Sequence, residues 1–114
     1  MPSRVNKPYM CSQRVSIICS DMNGWRHTVQ GNLEEIETGS ALVLVEAPIS
    51  SNKKVRICCG NKQLKGTVES CVHDDILGFF VEVQLDSDSQ WSERRFTPSH
   101  LLNLPSKIAF RAAG

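Results

Sequence analysis

The sequence predicts an all-β domain of six short strands, closed as a small barrel or packed as a sandwich. Apolar and polar residues alternate with a period of two through most of the middle of the chain, the pattern of strands with one face buried. The alternating runs are short and are separated by turn formers at Asn23-Gly24, Pro48, Gly60-Asn61 and Asp74-Asp75. With 114 residues, 40% of them apolar, the chain has room for one domain and one modest core.

Each strand has its own signature. In 14–20, Val15, Ile17 and Cys19 face one way and Arg14, Ser16 and Ser20 the other, with Ile18 as the exception. Asp21-Met22-Asn23-Gly24 is the turn, its Asn-Gly pair supplying the positive φ values of a tight hairpin, and 25–30 returns as the second strand. The third strand, 40–46, contains the apolar run Ala41-Leu42-Val43-Leu44-Val45, buried on much of both faces, and ends at Ala47-Pro48. In the fourth, Val55, Ile57 and Cys59 alternate with Lys54, Arg56 and Cys58. Gly60-Asn61 turns the chain into 63–73, where Leu64, Gly66, Val68, Ser70 and Val72 share one face and Lys65, Thr67, Glu69, Cys71 and His73 face outward. The last strand sets Phe79, Val81, Val83 and Leu85 against Phe80, Glu82 and Gln84. Thr97-Pro98, a capping residue before a proline, predicts a short helical turn over 97–102 that ends before Pro105, with Trp91 and Phe96 anchoring it.

Composition narrows the setting. The longest apolar run is far shorter than the roughly 20 residues of a membrane-spanning helix, so no membrane insertion is expected. Met1 to Pro8 has no apolar core of a secretory signal, which points to the cytoplasm. Five cysteines form an odd set with one vicinal pair and no C-x-x-C spacing, so reduced thiols are expected. A pI near 7.7 lacks the basic footprint of a nucleic-acid binder.

The net charge of +1 conceals five successive blocks of +3, −4, +5, −6 and +3, with boundaries after residues 30, 50, 68 and 90. One reading is that neighbouring strands carry complementary charges on their solvent faces. The other is a basic N-terminal arm that reaches an anionic ligand while the acids limit non-specific attraction.

Catalytic signatures are missing. There is no Gly-x-Ser-x-Gly elbow, no cysteine-nucleophile signature and no phosphate-cradling glycine loop, so no enzymatic activity is expected. Cys71 and His73, two apart beside Asp74 and Asp75, come nearest to a metal constellation, but two ligands on one strand do not close a tetrahedral site, and no metal is expected. His27 reads as a partly buried core histidine.

A family resemblance enters at Asn32 to Ile49, where Asn32-Leu33-Glu34-Glu35-Ile36-Glu37-Thr38-Gly39-Ser40 leads into the apolar strand and its proline loop, followed by Lys54-Val55-Arg56-Ile57. Gly66-Thr67-Val68-Glu69, Phe79-Phe80-Val81-Glu82-Val83 and the stretch from Trp91 to Pro98, His100, Leu101 and Leu102 continue it. The chain resembles the PilZ domain family of bacterial proteins over roughly residues 12–104. That resemblance implies a six-stranded antiparallel β-barrel with a short C-terminal helical turn, a flexible arm over 1–11 and a tail over 105–114.

PilZ domains that bind cyclic di-GMP use an Arg-x-x-x-Arg motif in the arm and an Asp/Asn-x-Ser-x-x-Gly segment before the apolar strand. Here the arm offers Arg4, Lys7 and Arg14, with no arginine pair at that spacing. Asn32, Gly39 and Ser40 are what remains of the second motif. In one register Glu35 and Glu37 stand at its Asp/Asn and Ser positions; in the other Glu34 and Glu37 stand at its Ser and Gly positions. Carboxylates repel a dianionic dinucleotide and lack donors for its phosphates. The resemblance thus implies a non-catalytic signalling adaptor or protein-interaction module that has lost cyclic di-GMP binding. The alternative is a cyclic di-GMP receptor using Arg4, Lys7, Arg14, Asn32, Gly39 and Ser40. No cofactor is expected beyond that possible ligand. Trp25 and Phe80 are the expected apolar anchors for a protein partner.

Overall fold

The computed structural model describes residues 9–20 and 26–103, which form seven strands. These are β1 (Tyr9–Ser20), β2 (Arg26–Glu37), β3 (Ser40–Val45), β4 (Lys54–Cys59), β5 (Lys62–Asp74), β6 (Gly78–Leu85) and β7 (Leu102–Asn103). All neighbours are antiparallel in the order β2-β3-β6-β5-β4-β1, and β1 pairs again with β2, which closes a six-stranded barrel. The two-residue β7 pairs with Tyr9 and Met10, beyond the part of β1 that pairs with β4. Closure removes the open sheet edges that a small β domain otherwise exposes.

The core fills the barrel from alternate positions of every long strand: Ile17, Leu33, Val43, Ile57, Val68 and Val81 are all buried. Gly60 supports the β4–β5 hairpin with φ +59°, as the Gly60-Asn61 signal predicts. The turn expected over 21–24 lies outside the described residues, as do Trp25, Arg4 and Lys7.

Three strands carry an extra residue; in β1 the register with β2 shifts between Met10 and Gln13. In β2 the register with β3 shifts between Leu33 and Glu35, so Leu33 and Ile36 both point inward and the strand continues through 31–37. In β5 the register with β6 shifts between Val68 and Ser70. Beyond that bulge the faces exchange. Cys71 packs against the core, whereas Val72, expected inside, is 60% exposed. At the other end of the chain, β1 begins at Tyr9, within the segment read as an arm, because Tyr9 pairs with both Ile36 and Asn103.

The segment after β6 closes one end of the barrel. Trp91 is buried, meets the Tyr9 ring edge-on at 5.4 Å, and donates from Nε1 to the Phe96 carbonyl at 2.7 Å. Among the described residues the helical turn is a 3-10 turn at Ser87–Ser89, and 97–101 is not helical. The Thr97 hydroxyl donates backward to the Glu93 carbonyl instead of capping the residues that follow. Gln13 Oε1 accepts from both the amide and the hydroxyl of Ser99, and the Ser12 amide donates to the Ser99 carbonyl. These bonds draw the chain along β1, so that it enters β7 in place of a helix.

Candidate functional site

The 32–40 segment forms the end of β2, the Thr38-Gly39 turn and the start of β3. Asn32 and Ser40 are engaged within the protein. Asn32 Nδ2 donates to Glu34 Oε2 at 2.8 Å and to Ser12 Oγ at 3.3 Å, and Ser40 Oγ donates to Glu37 Oε2 at 2.6 Å. The turn carbonyls are used as well: Gly39 accepts from the Leu85 amide and Thr38 from the Trp91 amide.

Of the candidate ligand residues that lie among the described residues, Arg14 and Asn32 are separated from Ser40. Arg14 and Asn32 stand opposite each other on β1 and β2 and line one shallow groove of about 230 Å³ with Gln30, Leu44, Glu46 and Leu77. Ser40 belongs to a separate depression of about 120 Å³, walled by Glu35, Glu37 and Glu82. The bulge at Glu34 turns Glu35 and Glu37 onto the outer surface, and the β3–β6 register sets Glu82 opposite Leu42, which is itself opposite Glu35. Burial pushes the Glu35 carboxyl above its ordinary value, and the nearby charges of Glu37, Glu82 and Glu34 push it further.

Phe80 lies on the outer face of β6, half-buried between Leu44 on β3 and Val72 on β5. With Arg14 and Asn32 these make one cross-strand row, Arg14–Asn32–Leu44–Phe80–Val72, running over five strands. The apolar part of the row is continued by the β5–β6 turn, where Leu77 and Ile76 are exposed. Asp74 fixes that turn by accepting from the amides of Ile76 and Leu77. Those two bonds hold its carboxyl below the ordinary value.

A second groove, of about 220 Å³, opens across β1, β2, β4 and β5, lined by Ile18, Ser20, Arg26, Lys54, Arg56 and Lys65 among others. Arg56 stands directly opposite Lys65 and, on its other side, opposite Ile18. The charge blocks therefore sort by surface: carboxylates of β2 and β6 gather around β3, and cations of β4 and β5 gather beside β1. Complementary neighbours occur where the loop after β6 returns, with Lys54 at 3.7 Å from Asp86 and Lys65 at 3.5 Å from Asp88.

Sequence reading singled out none of the four cations of this groove, although part of it was legible. A two-residue turn at Gly60-Asn61 pairs Cys59 with Lys62, and counting back along both strands places Arg56 against Lys65. The Leu44–Phe80–Val72 row had no such signal, because β3 and β6 meet only through the barrel's crossover order.

The remaining chemistry-bearing side chains are dispersed. Among the described residues no group of three or more His, Cys, Asp or Glu is placed to hold a metal ion. His73 lies on Phe79 at a ring separation of 4.8 Å with Asp75 3.6 Å away, and His27, expected to be partly buried, is exposed: it stands opposite the buried Cys19 but at the second position of β2, near the strand's end. Cys11 is buried beside Glu34 and Glu35; burial foremost pushes its thiol up to about 12, the reverse of what a nucleophile needs. Among the described residues no helix is long and apolar enough to cross a membrane.

No protein-family model, curated protein or solved structure matches the chain.

Proposed function

We propose that this chain is a non-catalytic, PilZ-like β-barrel that has lost cyclic di-GMP binding and serves as a signalling adaptor through protein contacts. The observation that carries this reading is the outer surface of the 32–40 segment. Two of its three side-chain donors, Asn32 and Ser40, are bonded to the carboxylates of Glu34 and Glu37, which leaves the exposed Thr38 hydroxyl at the turn, and Glu35 and Glu82 complete an acidic wall. A phosphodiester approaching that wall meets three carboxylates, while the Ser40 hydroxyl beside them is already bonded.

A protein contact fits the neighbouring surface. Phe80, Leu44 and Val72 form an apolar centre, and Arg14, Asn32 and Glu46 lie at its border, the arrangement of apolar core and polar rim common to protein interfaces. Titration calorimetry of the full chain at micromolar concentration with cyclic di-GMP tests the reading. No saturable heat is expected. A saturable isotherm that disappears in Arg14→Ala would establish the receptor alternative instead, since Arg14 stands opposite Asn32.

A further inference from the structure

We infer that the groove between β1, β2, β4 and β5 is a binding site for a diphosphate-bearing anion. Its lining holds four cations, Arg26, Lys54, Arg56 and Lys65, against a single carboxylate, Asp86, a local balance of +3. The balance arises in a protein whose whole chain sums to +1. Like charges placed directly across a strand pair destabilise a sheet, yet Arg56 and Lys65 occupy that position. Lys54 and Lys65 are partly compensated by Asp86 and Asp88, whereas among the described residues neither Arg26 nor Arg56 has a carboxylate within 4.0 Å. Two guanidinium groups without a described counter-charge, one of them directly opposite a lysine, mark a place where a ligand can supply it.

The side chains specify the ligand's chemistry. Two guanidinium groups present planar forks of N–H donors that match phosphate oxygens two at a time, and the Ser20 hydroxyl adds a further donor on the same wall. With Lys54 and Lys65 paired to Asp86 and Asp88, two positive charges are left, and a single carboxylate would meet one of them; a diphosphate, with several ionised oxygens in a small volume, matches both the charge and the groove of about 220 Å³. The described lining contains no aromatic ring, so no stacking platform for a nucleobase is offered. Recognition therefore rests on the diphosphate itself, whether free or esterified. The site is also distinct from the acidic wall of the 32–40 segment, which lies on β2, β3 and β6.

Titration calorimetry of the full chain at low ionic strength with inorganic pyrophosphate is the test, with ADP as a second arm to separate the free from the esterified anion. Saturable one-to-one binding of pyrophosphate is expected, with ADP binding comparably. Arg56→Ala, an exposed change whose folding is checked by circular dichroism, weakens binding by about tenfold or more, the loss of a charge-assisted contact. Arg56→Lys keeps the charge without the fork and falls between. Lys62→Ala, equal in charge change but outside the groove, leaves binding unchanged. The inference is overturned by the absence of saturable pyrophosphate binding, by equal affinities of wild type and Arg56→Ala, or by binding of ADP without pyrophosphate. Binding of cyclic di-GMP that is lost in Arg14→Ala but kept in Arg56→Ala would overturn the adaptor reading and leave this one standing.

Discussion

Ser40 and Glu37 face each other across the β2–β3 hairpin, and the Ser40 hydroxyl donates to Glu37 Oε2 at 2.6 Å. The bond commits the Ser40 hydroxyl to a carboxylate, and beside it Glu35 is crowded by Glu37, Glu82 and Glu34. The acidity of this wall has a cost that the fold carries.

Glu35 makes that cost measurable. Its folded-state pKa is raised from the ordinary 4.5, first by burial and then by its acidic neighbours. The folded state therefore holds this proton more tightly than the unfolded state, and the Glu35 contribution to stability is lost as pH rises from about 4.5 through the folded value. Glu35→Gln should raise the urea midpoint at pH 7, and the difference from wild type should close toward pH 4. Asp74 behaves oppositely: its lowered pKa gives stability that is present above the ordinary 3.8 and lost as pH falls through the folded value. The two windows lie on either side of pH 4, so a pH series of urea titrations separates them.

Gly66 tests the closeness of β5 to β6. A Cβ at that position would press on the Gln84 carbonyl oxygen and on Val83 Cγ1 inside the closed barrel, and the Gln84 backbone has no room to yield. Gly66→Ala should cost about 1–3 kcal/mol, as overpacked core sites do. Gly39, with nothing within 4 Å of a Cβ, serves as the comparison, and Gly39→Ala should stay within about 0.5 kcal/mol of wild type. Chemical denaturation midpoints of the two variants decide it.

The bulge in β5 predicts an inversion of side-chain faces. Val72→Lys places a charge at an exposed position and should alter stability by no more than about 0.5 kcal/mol. Cys71→Lys drives a charge toward the core and should cost about 1–3 kcal/mol. The opposite ranking would mean that the strict alternation of 63–73 holds and that the shift between Val68 and Ser70 does not exist.

These positions also show what the sequence carried. Alternation placed Ile17, Val55, Val68 and Val81 in the core because each lies in a run uninterrupted by a bulge. It failed at Val72 because one unpaired residue shifts every later side chain to the other face, and nothing in Glu69 or Ser70 announces the shift. The expected helix at Thr97 failed for a different reason: its local capping signal was overridden by Gln13, distant in sequence, which binds Ser99. For the candidate site, the acidic character of 34–37 was readable from composition. The separation of Arg14 and Asn32 from Ser40 was not, since it depends on where β2 runs relative to two other strands.

An amide-resolved NMR titration of the full chain with cyclic di-GMP tests the central claim most directly, because it reports on the 32–40 segment residue by residue. The account predicts that the amides from Asn32 to Ser40 do not shift in a saturable manner as the dinucleotide is added. Saturable shifts concentrated on Asn32, Gly39 and Ser40, together with Arg14, would contradict it and restore the receptor site.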